Sequence, residues 1–139
     1  MPLVTFLPPI KAEHNLSMEV YPKELSRHLH EEKLPIRTSI FEPSNSKATA
    51  QDTSLQKGLG LHQPLSGQLY AKYVGYPAEV AHISSSIVHI TDHSYGHLMQ
   101  NVSNKKVVVT CHDLTLLQYA KQLAKNPEAR DRIALFNYS

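Results

Sequence analysis

The sequence predicts an α/β fold, a Rossmann-like parallel sheet flanked by helices, and three observations carry that prediction. Four short apolar, β-branched runs occupy residues 2–7, 36–41, 87–91 and 106–111. Segments of helical periodicity or loop alternate with them, the pattern of a parallel sheet joined by right-handed crossovers. The last two runs finish in titratable side chains, Ile87-Val88-His89-Ile90-Thr91-Asp92-His93 and Val107-Val108-Val109-Thr110-Cys111-His112-Asp113. In open α/β sheets ligands bind beyond the carboxyl ends of the strands. If these two strands are neighbours, about 5 Å apart, their polar ends share one crevice.

Taken in order, the first strand ends at Pro8-Pro9. Ser17 is a favoured helix cap, and a helix over 18–32 places Met18, Tyr21, Leu25 and Leu29 on one face, with Pro22 expected in its first turn. The second strand alternates apolar and polar residues. The segment 42–68 is polar, rich in Ser, Thr, Gln and Lys, and of the length expected of a mobile or functional loop. Residues 69–83 predict a helix interrupted at Pro77, and a short helix is expected near 96–101. Helical sequence returns at 114–124 and again from Pro127, a natural first helical residue. The last of these gives about three turns, with no capping glycine and no strand after it, so an incomplete domain is expected.

Composition narrows the function classes. A chain of 139 residues, 41% hydrophobic and 19% charged, is long enough for one domain with a real core. Its formal charge is +2, and no Lys/Arg stripe runs along it, which argues against nucleic acid as partner. No apolar stretch approaches the roughly 20 residues of a membrane span, and residues 1–9 lack the basic start of a signal peptide. The lone cysteine, Cys111, fits a reducing cytosol, so a cytoplasmic location is expected. Contact with a membrane surface is left open.

The helix start Ser17-Met18-Glu19-Val20-Tyr21 with Leu25 and the two strand-end strings, extended to Ser94-Tyr95-Gly96-His97-Leu98 and Leu114, together resemble glycosyltransferase family 4. The resemblance covers most of the chain and is weakest over 42–68. It implies a GT-B enzyme, in which two Rossmann-like domains face a cleft and a sugar passes from a nucleotide-sugar donor to an acceptor with retention. This chain is similar only to part of the N-terminal, acceptor-side domain. The C-terminal donor domain is absent, so the chain alone is expected to be inactive, and whether to regard it as an enzyme stays open. No cofactor is implied beyond the nucleotide-sugar co-substrate. Glu24 and Glu32 have the spacing of the family's glutamate pair but fall on the first amphipathic helix, where a solvated face accounts for them. Residues 8–17 contain no glycine, whereas family members often carry glycines there to admit donor phosphates.

Carried over residue by residue, the resemblance assigns His112 to the family's strand-end histidine beside the donor sugar, the expected catalytic residue. A neutral imidazole there can hydrogen-bond a sugar hydroxyl or phosphate oxygen. Asp113 either orients His112 or caps the next helix, with capping ahead. Asp92 and His93 are expected to contact the acceptor or to cap and tie the loop, the two standing level. Tyr95 stacks on a sugar or packs on the sheet, with packing ahead. His14, in the first loop, could reach the acceptor. His89 is expected to be structural, and Cys111 an inert buried thiol. Two other classes compete. In a metal-dependent hydrolase, His89, Asp92, His93, His97, His112 and Asp113 would supply ligands, although no His-Glu-x-x-His helix or cysteine pair supports zinc. A non-catalytic interaction module would associate, with itself or with a separate donor-domain chain, through an unpaired sheet edge.

Overall fold

The computed structural model describes residues 1–13, 16–44 and 67–112. His14, Asp113, most of the polar 42–68 segment and the helices expected after residue 113 lie outside the described residues.

Strands β1 (Leu3–Leu7), β2 (Arg37–Ile40), β3 (Ile87–Ile90) and β4 (Lys106–Val109) form one parallel sheet in the order β2-β1-β3-β4. Each lies within a predicted run and is one or two residues shorter at its ends. The register sets Phe6 between Ile40 and His89, and Thr5 between Ser39 and Val88. His89 in turn faces Val108 on β4. Since side chains alternate along a strand, Thr5, Leu7, Val88 and Ile90 share one face, and Val4, Phe6, His89 and Val108 share the other.

The first of these faces holds the core. Leu7, Val88 and Ile90 are buried there against Tyr76, Val80, Tyr95, Leu98 and Val102. The covering helix α2 consists of an α-helical start, Gly67–Tyr70, a π turn, Ala71–Gly75, and an α-helical end, Tyr76–Val80. Pro77, where an interruption was expected, sits just after the π turn and the helix runs on. The Tyr76 N–H bonds the Ala71 carbonyl five residues back. The ladder is thus already displaced where proline, which has no N–H to give, enters it.

The opposite face meets α1 (Leu16–Glu31) through Ser26, whose hydroxyl lies 2.6 Å from that of Thr38, and through the Tyr21 ring against His89. Two expectations for α1 change. Ser17 lies inside the first turn, because the helix begins at Leu16. Pro22 is the seventh helical residue and is buried, so it removes one bond from the ladder interior instead of occupying a position where the N–H is surplus. The helix ends at Glu31, and Lys33, two residues on, has a left-handed φ of 52°.

The expected short helix is a 3₁₀ segment, His93–Asn101, that starts directly after β3 because Asp92 caps it. Among the described residues no helix is long and apolar enough to cross a membrane.

Candidate functional site

The strand order makes the location of a site a matter of topology. β2 lies on one side of β1 and β3 on the other, so the chain reverses direction across the sheet between them. Such a switch point opens a crevice beyond the carboxyl ends of β1 and β3. The segments leaving those ends are 8–13 and 91–94, with 110–112 leaving β4 alongside.

His112 and Thr91 bring the two predicted strand ends together. The His112 Nε2–H donates to the Thr91 carbonyl at 2.8 Å. A carbonyl only accepts, so the neutral ring carries its proton on Nε2 and keeps an Nδ1 lone pair. The residue is otherwise exposed, and Tyr21 of α1 meets its ring edge-on, with centroids 5.4 Å apart. Beneath them the His89 Nε2 lies 2.7 Å from the Thr110 hydroxyl, which is also 3.4 Å from the Tyr21 hydroxyl. Burial lowers the His89 pKa, so this ring is held neutral in its structural role. Cys111, expected to be a buried strand thiol, is exposed beyond the end of β4.

On the β3 side, the Asp92 carboxylate accepts from the Ser94 N–H at 2.8 Å, and the His93 Nδ1 lies 3.5 Å from the same carboxylate oxygen. Of the two readings of Asp92, the capping one describes its position. Tyr95 is wholly buried, and its hydroxyl accepts the Ile10 N–H at 3.0 Å. A ring without exposed surface offers no face to a sugar, so Tyr95 serves the core. Burial, followed by the charge of Glu13, pushes its hydroxyl pKa up. The same bond occupies one backbone N–H of the glycine-free loop after β1, and the Tyr76 hydroxyl donates to the Pro8 carbonyl at 2.8 Å. The loop is fastened inward to the core.

Sequence reasoning missed Lys72. Its ammonium lies at the switch point, 2.9 Å from the Glu13 carboxylate, 3.4 Å from the Ser94 hydroxyl and 4.2 Å above the Tyr95 ring. The residue is 8% exposed, a burial rarely seen in lysine without a partner. Its carbonyl accepts from the Nε2–H of buried His97 at 2.9 Å. The His97 Nδ1 is buried with no hydrogen-bond partner among the described residues. Burial lowers the His97 pKa to about 4, so the ring is neutral. The one available signal was the pattern of α2, where Lys72 falls four residues before buried Tyr76; a lysine there reads as a solvated position.

Glu24 and Glu31 both bond the Arg27 guanidinium, at 2.8 and 2.5 Å, and the bond to Arg27 lowers the Glu24 pKa. Glu24 therefore belongs to the exposed helix face. Among the described residues no group of three His, Cys, Asp or Glu side chains converges to hold a metal ion. His89 and His97 lie on opposite faces of the sheet.

No family model matches this chain, and no curated protein or solved structure matches it either.

Proposed function

We propose that the chain is the acceptor-side part of a retaining, nucleotide-sugar-dependent family 4 glycosyltransferase of the GT-B type, working in the cytoplasm. One observation carries the reading: the ends of β3 and β4 meet through His112 and Thr91, beside Asp92 and His93 and next to the switch-point crevice. In this reading His112 faces the donor sugar. Its Nε2–H is committed to Thr91, so the exposed imidazole is held in place while Nδ1 can accept a sugar hydroxyl. Tyr21 stops the ring from swinging towards α1. His93 contributes to the acceptor side, and Asp92 acts through the turn that it caps, which holds His93 and Ser94 in position. Transfer breaks the bond between the anomeric carbon and a phosphate oxygen and forms one to an acceptor oxygen. The acceptor proton leaves with the nucleoside diphosphate. The donor must be held against the acceptor for this, and a second domain supplies that half. The single cysteine fits a reducing compartment.

The test begins with the coding sequence downstream of Ser139. The expected result is a frame encoding a second Rossmann-like domain with a glutamate pair. In the protein so encoded, His112→Ala should lower turnover of a nucleotide sugar about a hundredfold, as loss of positioning does, while circular dichroism stays unchanged. Unchanged turnover removes His112 from the reaction, and a downstream frame without such a domain sinks the proposal as a whole.

A further inference from the structure

A second cavity lies away from the strand-end crevice. It is a wide-open hollow of about 390 Å³ along the flank of β2, near the lower end of the range for small-molecule sites, about 300–1,000 Å³. Its floor comes from the first half of β1 and from the loop that leads into β3, toward the edge of the sheet opposite the crevice.

The floor is a chain of hydroxyls. The Thr5 hydroxyl lies 2.6 Å from that of Ser39 and also contacts that of Ser85. Thr5 and Ser85 are 5% and 3% exposed. Three hydroxyls carry three donors and six acceptor sites, and two links use two of each, so one donor and four acceptor sites are left over. Each hydroxyl already has a partner, and the remaining donor and acceptor sites are what the floor offers to a polar ligand. The walls are apolar, with Phe41 on one side and Leu3 and Ile83 on the others. Phe41 is held rigid by stacking on buried Tyr76, with ring planes 9° apart. At the rim both oxygens of Glu79 accept from Ser44, its N–H at 3.0 Å and its hydroxyl at 2.6 Å, which ties the chain after β2 to α2. Each oxygen keeps a further lone pair.

Among the described residues the lining contains no lysine or arginine, and His82 is its one basic group. A phosphate or nucleotide would enter with its charge unmatched and face the Glu79 carboxylate. The fitting ligand is neutral, compact, rich in groups that both donate and accept, and apolar on one side. We propose that this cavity binds a neutral polyhydroxylated molecule of monosaccharide size, its hydroxyls on Thr5, Ser39 and Ser85 and its C–H face on Phe41. The site is separate from the strand-end crevice and does not depend on the glycosyltransferase reading.

The test is a nuclear magnetic resonance titration of the ¹⁵N-labelled 139-residue chain with D-glucose and, in parallel, with inorganic phosphate. Glucose is expected to shift the amides of residues 39–41 and 82–85 saturably, with a millimolar Kd. Thr5→Val keeps the shape and removes the central hydroxyl, and should weaken binding about fivefold to tenfold, the worth of one hydrogen bond. Should that variant not fold, Ser39→Ala, at a half-buried position, carries the same expectation. The proposal is overturned if glucose leaves those amides unmoved, if phosphate moves them in its place, or if a folded variant binds as tightly as the parent. Glucose shifts confined to residues 91–94 and 110–112 would also overturn it, while supporting the strand-end site.

Discussion

The two faces of the sheet are built from different materials. Toward α2 the contacts are aromatic and aliphatic: Tyr76, Val80, Val88, Ile90, Tyr95 and Leu98 are all essentially inaccessible, each burial being worth roughly 1.5–3 kcal/mol. Toward α1, Phe6, Val4 and Pro22 are buried too, but around them polar side chains make contact, Ser26 with Thr38, His89 with Thr110 and Tyr21 with both Thr110 and His112, and Val108 is half exposed. Net hydrogen-bond contributions are about 1 kcal/mol each. The difference separates two tasks. The α2 face holds the larger buried cluster, and the α1 face adds the contacts that orient imidazoles near the surface. The histidines divide the same way, with His97 sealed inside one layer and His112 at the rim of the other.

The contrast is broken most directly by cutting one side chain from each face. Tyr76→Ala removes a buried ring, its bond to Pro8 and its stacking on Phe41, and should cost about 3–5 kcal/mol in urea unfolding. Val108→Ala, at an exposed position on the other face, should cost less than about 1 kcal/mol. Comparable losses would mean that the two layers share the load.

The pH dependence of stability comes next in size. His97 has its folded pKa lowered to about 4 from 6.5, chiefly by burial. The unfolded chain therefore takes up a proton first as pH falls. The stability His97 contributes is present above about pH 6.5 and is lost between there and about pH 4, on the order of 3 kcal/mol in all. His89, lowered in the same direction by burial, adds to the loss. His97→Gln keeps an N–H for the Lys72 carbonyl and removes the titration, so its stability should fall less steeply across that window. Equal slopes would show that other groups drive acid unfolding.

The fold was legible because its signals are local. β-branched runs of four to six residues alternating with helical periodicity hardly fit another architecture, and the four strands among the described residues fall where those runs lie. The positions of His112 and Asp92 just beyond strands were legible for the same reason, since strand ends can be read from the chain. Lys72 was not, because its burial depends on Glu13, 59 positions away, and on a π turn that rotates α2. Pro22 was misjudged because the start of α1 moved by two residues relative to the expected one, which carried the proline into the interior. For Tyr95, what fixes the packing role is the bond from the Ile10 N–H, 85 positions away. Long-range pairing decided Lys72 and Tyr95, and a single sequence does not encode it in any window.

The smallest expected effect sharpens the comparison from the α1 side. A helix fastened largely by polar contacts depends more on its own ends, and α1 is followed, two residues after Glu31, by Lys33 in a left-handed conformation, with φ of 52°. For a residue with a Cβ that conformation costs about 1–2 kcal/mol, whereas glycine adopts it freely and is the usual residue there. Glycine also makes the unfolded chain more flexible, which returns about 0.4–1 kcal/mol. Lys33→Gly should therefore stabilise the protein by about 0.5–1 kcal/mol net, the balance of those two figures. Lys33→Ala keeps the Cβ and the strain, so it should change little. Amide exchange locates the gain: if the α1 layer is the loosely held one, protection should rise in the last turns of α1 and stay constant in β3. A gain spread evenly over both would mean that α1 opens only when the whole sheet does, and the two faces would then form one cooperative unit.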